Sequence, residues 1–384
     1  MQQIPDLEKQ TLSIHPQGLA TLLKVSNALS ASLELNEVLQ TAITSVTETI
    51  GVGTGAIYTL EGDELYLGAT TPPLPPEFPI ALRLANINNH PHIKKSIETK
   101  APVYIEDTSK VSLSAEEQIV VDTRHLISIL YFPLFLKSEA IGVFIVGTKK
   151  RIHKFTEQDI DLCYILSTQS SLAITNARLY QTSQEATEDI MRAYDSTLEG
   201  WSRVLDMRDR ITDEHTKRTA ELTVALARRM GFPESEIEHI RRGALLHDIG
   251  KMAVSDVVLQ KAAELTSEEF EIIKQHPVIA YELLSHIDFL APALDIPYCH
   301  HERWNGTGYP RQLKGEEIPL SARLFAVVDV YDSITSERPY HEAWDKDVAI
   351  AYIRDESGKH FCPHAVDAFL EMMAEFDDAE AGVS

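Results

Sequence analysis

Two adjacent histidines, His300 and His301, stand just before a loop that contains Gly306, Gly308 and Pro310. Imidazole is a common ligand for transition metals, and a sequence that builds only a helix or a core has little need for such a pair. Neighbouring residues on a helix point about 100° apart, so both rings can serve one site only if that site is large. The pair therefore suggests a site that holds two metal ions.

Other histidines and acidic residues of the second half could complete this site. The candidates are His215, His247, Asp248, His276 and Asp329. Each alone could be a surface or helix-end residue, but Asp329 lies in the apolar segment 324–332, where a buried carboxylate needs a cation. Imidazole and carboxylate without thiolate favour iron, manganese, nickel or zinc. Such ions would support hydrolysis by a metal-activated hydroxide.

His247 and Asp248 follow an apolar run at residues 244–246 and precede Gly250 and Lys251. The run predicts that the two polar residues lie in a buried helix. Lys251 would then lie about one helical turn from His247, on the same side as the candidate ligands.

The composition limits the partners of the protein. A chain of 384 residues is long enough for two or three domains with their own cores. Its formal net charge of -23 argues against a protein that coats DNA, RNA or an anionic membrane. A small anionic ligand remains compatible if metal ions or local basic residues receive it.

The cysteines and the apolar segments indicate a cytoplasmic protein. Cys163, Cys299 and Cys362 are widely spaced, which favours neither a disulfide framework nor a zinc ribbon. Residues 1–10 are polar and show no secretory signal. The longest apolar run, 126–136, is too short to cross a bilayer, so we expect no membrane association.

The elements that precede the candidate site form an α+β pattern. Residues 19–50 carry apolar side chains at helical spacing, and a strand, a tight turn and a strand follow at residues 56–69. Further strands are predicted at 103–105, 127–136 and 141–147. We expect an antiparallel sheet flanked by helices.

A long helix is predicted after this sheet. Thr156 can cap it, Asp159 occupies its third position, and Phe155 can pack on Ile160. The helical pattern continues to residue 206, with a break expected near Ser183. Its apolar stripe could pair with a second copy of the chain as a homodimer, or could pack on the chain's own domains.

The first half resembles a GAF domain through residues 35–40, 55–58, 141–144 and 155–159. The resemblance implies a sensory domain at residues 18–180, which responds to an unknown small-molecule or protein signal. GAF domains that bind cyclic nucleotides carry an Asn-Lys…Phe…Asp-Glu pattern. The residues after Phe155 do not match it, so cyclic AMP or cyclic GMP is not expected.

The second half resembles the HD-GYP branch of the HD phosphohydrolases. Residues 247–251 match the HD signature, residues 300–310 match the GYP signature, and residues 329–340 fit the segment downstream. The resemblance implies an all-α domain over residues 186–384, joined to the first domain by connecting helices at residues 156–206.

The same resemblance implies two divalent ions per chain, with iron or manganese favoured over nickel or zinc. Their ligands would be His215, His247, Asp248, His276, His300, His301 and Asp329. Asp248 would bridge the ions and take part in catalysis, and a hydroxide between them would attack the phosphate. Relatives with a third ion have a glutamate where this chain has Ile211.

Members of this family hydrolyse cyclic di-GMP to linear pGpG, and often on to GMP. Lys251 would stabilise charge on the phosphate, and Arg338 could clamp it. Further substrate contacts are expected at His341, where many relatives have a basic residue, and at Gly308 and Tyr309. Asp332 and Glu302 would support the site from behind the ligands.

Two other functions remain open from the sequence. One keeps the chemistry and changes the substrate to 3',3'-cyclic GMP-AMP. The other is a catalytically weak receptor for cyclic di-GMP, a function that Ile211 and His341 leave open. In each case the GAF domain would act as the regulator.

Overall fold

The computed structural model describes residues 16–74, 83–209, 215–261, 263–337 and 342–381. The chain divides into two compact units, Met1–Glu188 and Asp189–Ser384. Within the described residues, no helix is both long enough and apolar enough to cross a membrane.

The first unit is built on an antiparallel sheet. Its strands are β1 (Thr54–Glu61), β2 (Glu64–Thr71), β3 (Leu84–Asn86), β4 (Val103–Ile105), β5 (Ser128–Leu136) and β6 (Glu139–Thr148), in the spatial order β3-β2-β1-β6-β5-β4. Every strand predicted from the sequence is present. The short edge strand β3 is an addition, because Leu84–Asn86 holds none of the β-branched and aromatic residues that marked β4.

Helices cover both faces of the sheet. They are α1 (Pro16–Leu29), α2 (Leu35–Thr49), α3 (Pro91–Glu98), α4 (Ala115–Arg124) and α5 (Glu157–Asp209), with short 3₁₀ turns at Ile87–Asn89 and Thr108–Lys110. Residues 19–50 were expected to form one helical run and instead form two helices. The Ser32 hydroxyl accepts a hydrogen bond from the Glu34 backbone N–H, a local turn that competes with helix.

Alternation along the central strands gives the first unit two apolar layers. Ile57 lies opposite Phe144 in the register, and both belong to the layer shared with Val38 of α2 and Leu166 of α5. Tyr58, their neighbour on β1, belongs to the opposite layer. The α+β fold predicted for this half is confirmed.

Helix α5 begins as the sequence predicts. The Thr156 hydroxyl accepts from the Asp159 N–H, and the Asp159 carboxylate accepts from the Thr156 N–H. The break expected near Ser183 was wrong, because α5 continues through that residue to Asp209. The helix holds no proline, and the Ser183 carbonyl also accepts from the Thr187 hydroxyl, which helices tolerate.

The second unit is helical, as predicted. Its helices are α6 (His215–Arg229), α7 (Glu234–Leu245), α8 (Asp256–Leu259), α9 (Ser267–Ile273), α10 (His276–Leu284), α11 (Asp295–Cys299), α12 (Leu320–Thr335), α13 (Lys346–Asp355) and α14 (Pro363–Ala381), with 3₁₀ segments at Ile249–Ala253, Asp288–Ala293 and Gly315–Glu317. Helix α12 supplies the fully buried Phe325 and Val328, which share one core with Leu226 and Phe369.

Replacement of Phe144 by alanine should destabilise the first unit, because Phe144 is fully buried between β1 and the helices. We expect a loss of about 3–5 kcal/mol in the free energy of unfolding, measured by urea denaturation with circular dichroism. Tyr66→Ala, on a side chain that is 42% exposed, is the control. Equal effects of the two changes would contradict the packing described.

Candidate metal centre

The candidate ligands stand at helix ends, with one exception. His215 and His276 are the first residues of α6 and α10, and His300 directly follows α11. Asp329 lies inside α12, as the sequence indicated, and is partly buried.

The expectation that His247 and Asp248 lie within a helix was wrong, because α7 ends at Leu245. The chain then turns through the 3₁₀ segment Ile249–Ala253. Gly250 permits this turn to approach α10: a Cβ at that position would lie 1.9 Å from the His276 carbonyl oxygen. The helical pattern of the apolar residues did not reveal this close backbone approach.

The structure gathers six of the predicted ligands into two groups. His215, His247 and Asp329 form one group, and His276, His300 and His301 form the other. Within each group the ligand atoms lie within 4.8 Å of one another. Each group is therefore compact enough to bind one ion through three side chains.

Asp248 lies between the two groups. Its Oδ2 atom is 3.1 Å from His247 Nε2, while its Oδ1 atom is 3.3 Å from His276 Nε2 and 3.9 Å from His300 Nε2. One carboxylate thus offers one oxygen to each group, as a bridging ligand requires.

Hydrogen bonds fix the orientation of four histidine rings. The Nδ1 atoms of His247, His276 and His300 contact the carbonyl oxygens of Ala244, Ile273 and Ile296 at 2.8, 2.8 and 3.0 Å. His215 Nδ1 lies 2.5 Å from Asp332 Oδ2. Because a carbonyl oxygen can only accept, Nδ1 of the first three rings carries the proton. Burial lowers the pKa of His276 and His300, so their Nε2 atoms carry lone pairs, whereas burial of His247 is outweighed by Asp248, which raises the pKa of His247 to about 9.

Two of these lone pairs face each other. His276 Nε2 lies 3.2 Å from His300 Nε2, and neither nitrogen has a hydrogen to donate when both Nδ1 atoms are protonated. Burial lowers the pKa of His276 and holds the pKa of His300 well below its usual range, so a proton is disfavoured there. A divalent cation satisfies both nitrogens, and the donor set fits a transition metal.

Asp248 is charged despite its position. Burial alone would raise the pKa of its carboxyl, but His247 and Lys251 outweigh burial and hold the pKa well below its usual range. Asp248 therefore brings a negative charge to the midpoint of the two groups, where it offsets the charge of bound ions.

Lys251 is held by two carboxylates. Its Nζ atom lies 2.7 Å from Asp248 Oδ2 and 2.8 Å from Asp209 Oδ2. Asp209, the last residue of α5, was not among the predicted site residues. Local sequence does not distinguish it from the nearby acidic residues 206, 213 and 214.

Asp332 contacts His215, and its predicted role behind the ligands stays a prediction. It also accepts from Arg218, with Nε at 2.8 Å from Oδ1 and Nη2 at 3.1 Å from Oδ2. Burial would raise the pKa of Asp332, but His215 and Arg218 lower it to about 2. Arg218 was missed, although its place three residues after His215 on one helix face could have signalled it.

The loop after the histidine pair is fastened to Glu302. This buried carboxylate accepts from the backbone N–H groups of Arg311 at 2.7 Å and Leu313 at 3.0 Å. Gly308 lies so close to the backbone of residues 301–303 that a Cβ on it would lie 2.4 Å from the Arg303 backbone nitrogen. The loop sets the Tyr309 ring against His301, with ring centroids 4.7 Å apart.

Three residues discussed above for a third ion or for substrate contacts lie outside the described residues. They are Ile211, Arg338 and His341. The geometry of the centre therefore rests on the two groups, Asp248, Lys251 and the residues that support them.

Family comparisons assign both halves of the chain. Residues 32–175 match the GAF domain, and residues 200–364 match the HD domain. The chain carries a GAF domain followed by an HD domain. HD-domain phosphohydrolases are metal-dependent, and the two ligand groups of this HD domain could hold metal.

Several curated proteins are similar to part of this chain. The cyclic di-GMP phosphodiesterase response regulator RpfG of Xanthomonas campestris is 42% identical over 183 residues, covering 47% of this chain and 48% of that protein. A cyclic di-GMP phosphodiesterase of Vibrio cholerae is 42% identical over 219 residues, 53% of this chain and 44% of that protein. The 3'3'-cGAMP-specific phosphodiesterase 2 of Vibrio cholerae is 30% identical, covering 63% and 46%. The chain spans about half the length of these relatives.

Asp332→Asn should weaken metal binding, because the amide cannot serve His215 and Arg218 together as the carboxylate does. We expect a loss of about 10- to 100-fold in affinity at the group containing His215, measured by competition with a chromogenic chelator. Asp345→Asn makes the same chemical change at an exposed helix cap and should leave the affinity unchanged. An unaltered affinity in the Asp332 variant would argue against a supporting role.

Proposed function

We propose that this chain is a metal-dependent phosphodiesterase that hydrolyses cyclic di-GMP to linear pGpG, GMP or both. The observation that carries the proposal is the pair of three-ligand groups with Asp248 between them. The cyclic di-GMP phosphodiesterases among the relatives support the choice of substrate.

The centre would hold two divalent ions, and the family resemblance favours iron or manganese over nickel or zinc. His215, His247 and Asp329 would hold one ion, and His276, His300 and His301 the other, with Asp248 shared. Bound ions would activate a water molecule as the nucleophile and polarise the phosphoryl oxygens.

The protein's own contribution is to fix charge and orientation. The Lys251 ammonium has three donors, of which Asp248 and Asp209 engage two, so the third can reach a phosphate oxygen. Tyr309, set beside His301 by the Gly308 loop, would line the approach to the ions. Arg338 and His341 are proposed as phosphate contacts on the strength of the sequence alone.

Hydrolysis of 3',3'-cyclic GMP-AMP is the second candidate, favoured by the cGAMP-specific phosphodiesterase among the relatives. Both substrates present the same phosphodiester to the ions, so the choice depends on contacts with the bases. Turnover of each substrate under identical metal loading separates the candidates. Tight binding of cyclic di-GMP without cleavage would instead indicate a receptor.

The GAF domain is proposed as the regulator of this activity, in response to an unidentified signal. A homodimer through α5 is one arrangement that would serve such control, and light scattering on the intact chain tests it. The domain limits that we propose are residues 18–180 for the sensory domain and 186–384 for the hydrolase.

Metal content provides a direct test of the centre. His276→Ala should reduce bound metal from about two ions per chain to about one and abolish hydrolysis, because it removes one of three ligands from a group. His286→Ala is the matched control: its ring also contacts a carbonyl of its own helix, that of Glu282 at 2.8 Å, but it is exposed. Metal analysis of anaerobically purified chains gives the result, and about three ions in the wild type would contradict the two-ion centre.

Lys251→Met should lower kcat on cyclic di-GMP by about 10²- to 10³-fold, because the ammonium stabilises charge that grows on the phosphate. Metal content should remain close to the wild type, since Lys251 is not a ligand. Steady-state kinetics with manganese-loaded protein measure the effect. If Lys251→Met retained full activity, the charge role would be excluded.

A further inference from the structure

The segment that carries Lys251 is fastened to the end of helix α5 by one side chain, Arg208. Its Nη1 donates to the Met252 carbonyl at 2.9 Å and to the Lys251 carbonyl at 3.3 Å, and its Nη2 donates to the Val254 carbonyl at 2.8 Å. The Lys251 carbonyl also accepts from the Val254 N–H at 3.0 Å, while the Met252 and Val254 carbonyls lie at the end of the 3₁₀ segment Ile249–Ala253, where carbonyl groups lack donors from the helix itself.

Further contacts tie the same two segments together. Arg208 Nε donates to Asp256 Oδ1 at 2.9 Å, and the Arg208 carbonyl accepts from Gln260 Nε2 at 3.0 Å. The next residue of α5, Asp209, contacts the Lys251 ammonium. Consecutive residues of α5 therefore hold the backbone of the lysine segment and the lysine charge itself.

From this geometry we infer that Arg208 is a positioning residue for Lys251, which makes the end of α5 the point at which a change in that helix reaches the site. The hydrogen bonds described for the Arg208 side chain go to Asp256 and to backbone carbonyls, and none goes to a candidate ligand. It acts on the Lys251 backbone, so a shift of the α5 end displaces the ammonium relative to Asp248. The inference deepens the proposed hydrolysis and rests on it for its kinetic consequences.

The kinetic test uses the full-length, metal-loaded chain. Arg208→Ala should lower kcat on cyclic di-GMP by about ten- to a hundredfold, with KM and metal content near wild type, because a small misplacement of a catalytic group is costly. Arg208→Lys should recover little, since one ammonium cannot serve three carbonyls as the planar guanidinium does. Arg203→Ala removes the same charge from a 71% exposed side chain of α5 and should match wild type.

A double-mutant cycle separates positioning from general destabilisation. If Arg208 acts through Lys251, adding Arg208→Ala to Lys251→Met should leave the residual rate unchanged. Rate losses that multiply in the double variant, or wild-type activity in Arg208→Ala, would overturn the inference.

Amide hydrogen exchange tests the contact without reference to activity. In Arg208→Ala the amides of residues 249–254 should exchange faster than in wild type, while those of α12 should keep their protection. Should the wild type hydrolyse no cyclic dinucleotide, the proposed function fails, and exchange still decides the role of Arg208. Unchanged exchange at residues 249–254 would overturn it.

Discussion

The centre depends on one unfavourable contact, the approach of two imidazole lone pairs to 3.2 Å at His276 and His300. Three of the histidines, His247, His276 and His300, are oriented by the same kind of local hydrogen bond. Each directly follows or nearly follows a helix end, and its Nδ1–H returns to a carbonyl three or four residues earlier. Helix ends leave such carbonyls without donors, so each ring caps the helix that precedes it and turns Nε2 outward. Buried lone pairs that face one another are stable only around a cation.

The net negative charge of the protein affects how this centre could attract an anionic ligand. A chain with a formal net charge of -23 repels anions at long range, and the described cation nearest the bridging carboxylate, Lys251, is already paired with Asp248 and Asp209. His300 and His301 add no positive charge, because burial keeps the pKa of both rings low, and the charge that Asp248 favours on His247 is offset by that same carboxylate. In the proposed function, bound ions would therefore join the few local basic residues in attracting a phosphodiester. Substrate binding would then depend on metal loading, because the ions would carry much of the positive charge of the site.

Sequence patterns predicted both folds and the candidate ligands that the structure brings together, because metal-binding side chains and strand alternation can be recognised from residue types. The predictions from these patterns were wrong at positions where the course of the backbone, rather than the residue type, sets the structure. The placement of His247 beyond α7 depends on the close approach at Gly250, and residues 19–50 divide into two helices through a turn at Ser32. Asp209, which contacts Lys251, and Arg218, which contacts Asp332, were missed for a related reason. Each is an ordinary charged residue whose role comes from a contact with a distant segment of the chain.

Lys251 shows how such contacts combine. On one side of its segment, Gly250 lies against the His276 carbonyl so closely that no side chain fits between them. On the other side, Arg208 holds the carbonyls of Lys251, Met252 and Val254. The ammonium is thus located by its backbone, between α10, which begins with a ligand, and the end of α5. A movement of either helix would shift the Lys251 backbone, so the position inferred for the ammonium at the centre depends on where α5 ends.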